Sequence, residues 1–300
     1  MGRPRSTAVV SLVRGLPREE GIPRAIGLLG INPVKGKPVL LKPNFNTADP
    51  FPGSTHNDTL RNLIGQLRDM GAADITVADR SGPAETAEVI MEKGVDRLCE
   101  ELGVKVMDFD GLGGGQWVKV RPEAGHWKDG FEIAKPVLDA PAVVTTCCLK
   151  THGYGAVFTM SLKISVGMVR RKYMSDLHGP RREMGKMIAE INTAYSPSLI
   201  LMDALEAFVD SGPMTGPRKK AGVILAGTDR IAVDAVGLAV LKDLGSNRAI
   251  MEAPIFEQQQ ISRAVELGLG VDRPEKIRIL TDDPAAAEYA ERLMEILRKE

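Results

Sequence analysis

The sequence predicts an α/β fold: a mainly parallel sheet flanked by helices, with a glycine-rich β insert. Three observations predict it. Short runs rich in Val, Ile and Leu alternate with longer stretches of helical spacing, the rhythm of consecutive β–α–β units. Thirty-one Gly and 19 Pro punctuate the chain with turns. Aromatic residues make up only 4%, so the core must be aliphatic. A chain of 300 residues is long enough to bury a sizeable core, in one large domain or two modest ones.

The elements follow in order. Ala8–Val13 reads as a strand and Arg18–Leu29 as a helix. Pro38–Leu41 is a buried strand. His56–Met70 places Leu60, Leu63, Ile64 and Leu67 on one helical face, and Gly71 suits its C-terminal cap. Asp74–Ala78 is a strand, Ala84–Leu102 a helix and Val104–Phe109 a strand. Parallel strands joined this way require right-handed crossovers. From Gly111 to Pro136 the texture changes: four glycines precede Trp117–Val120, and a polar loop leads to Phe131–Ala134. This reads as a hairpin-like insert, and any division into two lobes would fall near 111–136. The parallel pattern then resumes with strands at Ala142–Cys148, Ser198–Met202, Gly222–Ala226 and Lys276–Leu280. Helices are expected at Gly185–Tyr195, Asp229–Leu244, Phe256–Leu267 and Pro284–Lys299, and the stretch Val157–Val169 is helix-like.

Composition removes several function classes. The hydrophobic fraction is 43% and the charged fraction 26%, which excludes disorder, collagen and coiled coil. Lys+Arg and Asp+Glu both number 39, so there is no electrostatic excess for general nucleic-acid binding. Cys99, Cys147 and Cys148 form no C-x-x-C, so neither a zinc ribbon nor an iron–sulfur cluster is expected. Met1–Gly15 lacks the apolar core of a signal peptide, and no apolar run approaches the ~18 residues of a membrane span. The expectation is a reduced, cytoplasmic protein with no membrane partner.

Polar residues cluster just after the predicted strands. Lys42, Pro43 and Asn44 follow the second, and Asp79, Arg80 and Ser81 the third. Lys150, Thr151, His152 and Gly153 follow Ala142–Cys148, while Asp203 and Glu206 follow Ser198–Met202. Carboxyl ends of parallel strands share one edge of the sheet, where ligands bind. One such cluster is only a polar loop; four containing Lys, His and Asp point to a site. Lys150 could hold an anion, form a Schiff base or act as a base, and His152 could move protons near neutral pH. Gly153 would let a ligand approach the backbone.

Further candidates surround these. Thr55 could cap the helix that His56 opens, and its first amides could hold an anion with Lys42 and Asn44. Lys163 lies in an apolar stretch and either snorkels or points into the site. Gly212 and Gly216 punctuate the loop Asp210–Pro217, which could present amides to an anion. His178, in Asp176–Pro180, could complete an acid–base or metal set. The candidate metal ligands are His56, His152, His178 and Asp203, although no metal-binding histidine spacing supports them. P-loop, G-x-G-x-x-G and G-x-S-x-G motifs are absent. His126 reads as structural, and the basic runs at 170–172, with Arg181, Arg182 and Lys186 flanking His178, and at 218–220 as solvated faces, with a phosphate or carboxylate clamp as the alternative.

An ordered set of short motifs resembles the domain-of-unknown-function 362 family. It comprises Leu41-Lys42-Pro43-Asn44, Thr55-His56, Val77-Ala78-Asp79, Leu149-Lys150-Thr151-His152-Gly153, Leu162-Lys163 and His178. Leu201-Met202-Asp203-Ala204, Gly212-Pro213 with Gly216, Gly227-Thr228-Asp229 and Ala232-Val233-Asp234-Ala235 complete it. The match spans Val39 to Gly237. The resemblance implies a single α/β unit over residues 1–300 but no established activity. Many family members carry ferredoxin-like cysteines, which this chain lacks. There is also a remote similarity to the lactate racemase family, which uses a nickel-pincer cofactor on a lysine with histidine ligands. It is an analogy of fold and of one Lys/His pairing.

Two functions follow from the residues. One is an enzyme acting on a small carboxylate or phosphate metabolite by racemisation, epimerisation or elimination. Here His152 and His178 transfer protons and Lys150 is electrophile or second base. Lys42, Asn44, Lys163 and the Gly212–Gly216 loop hold the anion, and Asp79, Asp203 or Glu206 orients a histidine or binds a divalent metal. The alternative is a non-catalytic binding or carrier protein for an anionic ligand or metal cofactor. The expected partner is a small anionic molecule; homo-oligomerisation is left open.

Overall fold

The structure is a computed structural model, and it describes residues 7–179 and 181–299. Met1–Ser6 of the N-terminal stretch, and Pro180 beside His178, lie outside the described residues.

Eleven strands occur among them: β1 Ala8–Arg14, β2 Pro38–Lys42, β3 Asp74–Asp79, β4 Lys105–Asp108, β5 Trp117–Val120 and β6 Phe131–Ala134. They continue with β7 Ala142–Thr151, β8 Phe158–Thr159, β9 Leu199–Phe208, β10 Arg218–Gly227 and β11 Ile277–Leu280. One sheet runs β11-β1-β10-β9-β7-β2-β3-β4, with β8 added beside β7. β4, β3, β2, β7 and β9 run parallel, as does the edge pair β1–β11. β10 is antiparallel to both neighbours, so the sheet is mixed, though mostly parallel. β5 and β6 form the separate hairpin expected within the glycine-rich insert.

The core follows from side-chain alternation along each strand. On β7, Ala142 and Val144 face one side while Val143, Cys147 and Leu149 face the other. Both sides are buried, which is why this strand reads as a continuous apolar run. Leu60, Leu63, Ile64 and Leu67 of helix Asn57–Asp69 pack on the first face beside Ile22 and Ile26 of helix Arg18–Leu28. Fully burying one such Leu or Ile contributes about 1.5–3 kcal/mol. The second face carries helix Arg230–Leu244, buried almost all round, and towards β3 the hairpin with helix Met184–Ile191.

Several boundaries differ from expectation. Ala84–Leu102 is two helices, Thr86–Glu92 and Val95–Glu101, because Gly94 takes φ +65° between them. Val157–Val169 is β8 followed by a 3-10 helix, Lys163–Met168. β7, β9 and β10 each extend to ten residues. Lys150, Thr151, Asp203 and Glu206 are therefore strand residues, not loop residues. No described helix is long and apolar enough to cross a membrane.

Candidate functional site

A cavity of about 320 Å³ opens at the carboxyl ends of β2, β3 and β7. Its floor is a buried ion pair. Lys42, the last residue of β2, donates to Asp79, the last of β3, at 2.5 Å, and both side chains are 2% exposed. The Asp79 carboxylate also accepts the amides of Phe45 (2.8 Å) and Arg80 (2.6 Å), and Lys42 donates to the Pro43 carbonyl at 2.7 Å. Burial pushes the Asp79 carboxyl up and the Lys42 ammonium down, each against the opposing pull of its partner. Gly167 lies directly over this pair. A Cβ there would sit 2.6 Å from Asp79 Oδ1 and 2.8 Å from Lys42 Nζ, so any side chain would have to displace the pair.

The opposite wall is the segment Ser161–Val169, clamped by two buried charged residues. Asp234 accepts the amides of Ser161 (2.7 Å) and Leu162 (2.9 Å). Arg80 donates to the carbonyls of Val166 (2.7 Å) and Val169 (2.8 Å). Between these grips the 3-10 helix projects Lys163 into the cavity. Among the described residues Lys163 has no hydrogen-bond acceptor and no carboxylate partner, and burial, with Lys150 and Arg80 nearby, pushes it down to about 7.

Lys150 is fully buried at the end of β7, opposite Thr159 of β8. Its ammonium donates to the Gly53 carbonyl, and burial pushes it down to about 8. His152 follows where β7 turns back to β8. Its Nδ1 accepts the Tyr154 amide at 3.2 Å, which places the proton of the neutral ring on Nε2. Burial, then Lys163 and Lys150, drive its imidazole down to about 2. His178 lies on the exposed rim, its Nδ1 donating to the Met174 carbonyl at 2.7 Å. Lys42, Arg80, Lys150, Lys163 and Arg181 thus line a cavity in which, among the described residues, Asp79 is the only lining carboxylate, already spent on Lys42. This donor set suits an anion.

The cavity brings together Lys42, Asn44, Asp79, Lys150, His152, Lys163 and His178. The other candidates lie elsewhere. Thr55 is not the helix cap: its hydroxyl accepts the Asn44 amide (2.8 Å) and closes the Pro43–Thr55 loop, while His56 caps helix Asn57–Asp69 through Nδ1 (3.1 Å). Thr151 is buried beneath the glycine loop, and Gly153 donates to the Gly212 carbonyl at 3.1 Å. A Cβ on Gly212 would lie 2.0 Å from the Thr151 carbonyl, and one on Gly216 2.2 Å from that of Asp210. These glycines permit tight backbone packing, and of their loop Pro213 and Met214 line the cavity. Asp203 faces the other side of the sheet, bound to Arg18 (2.7 Å) and Thr59 (2.5 Å); Glu206 lies there too, with His56. The four candidate metal ligands therefore do not converge, and the described residues contain no group of three or more His, Cys, Asp or Glu placed to hold a metal.

Sequence reasoning missed Arg80, Gly167 and Tyr154 as site residues, and placed Arg181 in a basic run read first as a solvated face. Arg80 stood in the right cluster, beside Asp79. Gly167 carries no local signal, because its constraint comes from a pair 88 and 125 residues away in sequence, Asp79 and Lys42.

The profile of the family described as domain of unknown function (DUF362) matches residues 39–239, two-thirds of the chain. The chain belongs to this family. No curated protein matches it. Among solved structures it is similar to the lactate racemase apoprotein from Thermoanaerobacterium thermosaccharolyticum. Identity there is 12%, covering 97% of this chain and 87% of that one, with a TM-score of 0.48. It is also similar to a structural-genomics target protein from Thermotoga maritima. In that case identity is 14% and the TM-score 0.45; the match covers 77% of this chain and spans 59% of that one.

Proposed function

We propose that this DUF362 protein binds a small carboxylate or phosphate metabolite in the first cavity and moves a proton on it. The observation that carries the reading is Lys163, an amine held in the cavity beside Lys150 with no counter-carboxylate. An amine depressed by burial and by the neighbouring charges of Lys150 and Arg80 gains most from an anion lying beside it. Such an anion would also offset the part of the His152 depression that Lys163 and Lys150 add to that of burial. His152 then serves as the proton-transfer group next to a bound carboxylate, with the lysines stabilising the negative charge that develops. Racemisation, epimerisation and elimination all share that step.

The carrier reading also has an observation behind it. A histidine held near 2 does not supply a proton at neutral pH, and His178 stands on the exposed rim. A binding protein needs only the lysines and Asn44. Hydrogen exchange separates the readings. The protein is incubated in D2O with a panel of small 2-hydroxy and 2-amino acids, and deuterium at the 2-position is read by mass spectrometry. The enzyme reading expects incorporation that His152→Gln abolishes while anion binding persists. Binding without incorporation across the panel supports the carrier.

A further inference from the structure

A second cavity, of about 600 Å³, lies on the opposite face of the sheet, where helices Arg18–Leu28 and Asn57–Asp69 begin. Arg18, Phe51, His56, Leu205, Arg218 and Lys220 are among its lining residues. It opens where β10 steps out of register between Lys220 and Val223, with Gly222 at φ +69°. Such bulges often re-aim side chains next to binding sites.

Arg18 is the centre of this cavity. Its side chain is 15% exposed, and its Nε–H is shared between the Asp203 carboxylate (2.7 Å) and the Thr59 hydroxyl (2.9 Å). The guanidinium lies 4.6 Å from the Phe51 ring centroid, and Phe51 also meets the His56 ring edge-on. A guanidinium has five N–H donors in a fixed fork. Here only the Nε–H finds acceptors among the described residues; the Nη hydrogens find none. Arg18 lines the cavity, so its Nη edge, not engaged by the chain, can offer a bidentate contact to an anion. Lys220 forms no ion pair within reach among the described residues, whereas Arg218 leans towards Glu206 at 3.8 Å. Leu205, Phe51 and neighbouring prolines supply apolar wall, and Glu206 and His56 line the cavity beside them.

We propose that this cavity is a second binding site, for a small organic anion whose carboxylate or phosphate is attached to a planar apolar body. The anionic group takes the Arg18 Nη edge, Lys220 adds charge, and the body packs against Phe51 and Leu205. The first cavity has no part in this contact.

The test is calorimetric titration of the full chain with benzoate, with phenyl phosphate and with inorganic phosphate. Benzoate or phenyl phosphate should bind, and more tightly than inorganic phosphate. Arg18→Lys keeps a cation beside Asp203 but removes the fork, and should weaken binding at least tenfold. Phe51→Leu should weaken it severalfold. All these titrations are made in the Lys163→Met background, so that the first cavity, which takes the same anion classes, does not mask the second. No binding by either aromatic probe would overturn the proposal. So would affinity untouched by both Arg18→Lys and Phe51→Leu in that background. Inorganic phosphate bound as tightly as phenyl phosphate would also overturn the assigned ligand class.

Discussion

The floor and the wall of the first cavity contain the same residue type in opposite electrostatic situations. On the floor, Lys42 meets Asp79, and two amides and a carbonyl complete the pair. On the wall, Lys163 has neither an acceptor nor a carboxylate among the described residues and feels only the positive charges of Lys150 and Arg80, while Lys150 donates to the Gly53 carbonyl with Asp49 nearby. A lysine satisfied by its own chain is part of the architecture. A lysine that the chain places in a cavity and leaves uncompensated has its stabilising partner outside the chain. The difference assigns stability to the floor and ligand binding to the wall.

The largest expected effect breaks the floor. Lys42→Met leaves the Asp79 carboxylate buried and unpaired, and should cost about 3–5 kcal/mol in chemical denaturation. Replacing both partners with apolar residues should recover most of that loss, since the remaining shape can repack. Next comes Gly167→Ala. Its Cβ meets Asp79 and Lys42 below 3 Å, so the pair or the 3-10 helix must shift, at about 1–3 kcal/mol. A loss of that size without any loss of anion affinity would sharpen the division between floor and wall.

Lys163→Met probes the wall. Removing an uncompensated cation should leave the melting temperature unchanged or raised. Anion affinity should fall at least tenfold, about 1.4 kcal/mol. If the variant instead unfolds like Lys42→Met, the two lysines do the same work and the comparison fails.

The smallest effect is a pH slope. Lys163 sits at about 7 in the folded chain against 10.5 for an ordinary lysine, and Lys150 at about 8. Between these values the unfolded chain binds more protons, so stability without ligand should rise with pH from about 7 to 10. Affinity for an anion should fall over the same interval, as the amines lose their charge. Denaturation and titration at pH 6.5 and 9 check both signs, and Lys163→Met should flatten each slope.

Much of this was legible in the sequence, for physical reasons. Strand-by-strand alternation and polar residues at strand ends expose a parallel sheet and its ligand edge, so Lys42, Asp79, Lys150 and His152 could be named together. Asp203 and Glu206 were misplaced because β9 continues past its apolar run, and strand parity then turns Asp203 to the other face. The Gly212–Gly216 loop suggested an anion cradle, but a glycine that admits a ligand and one that admits neighbouring backbone read alike in sequence. Gly167 and the clamp formed by Asp234 and Arg80 depend on contacts between distant segments, which local patterns do not encode.

On this account the uncompensated lysine of the wall, Lys163, binds an anion with Lys150 beside it. Calorimetric titration with oxalate, which lacks the apolar body suited to the second cavity, tests it most directly at pH 6.5. Binding by the native chain that is lost in Lys163→Met but retained in Arg18→Lys is the predicted result. Absence of binding by the native chain, or equal affinity in Lys163→Met, would contradict it.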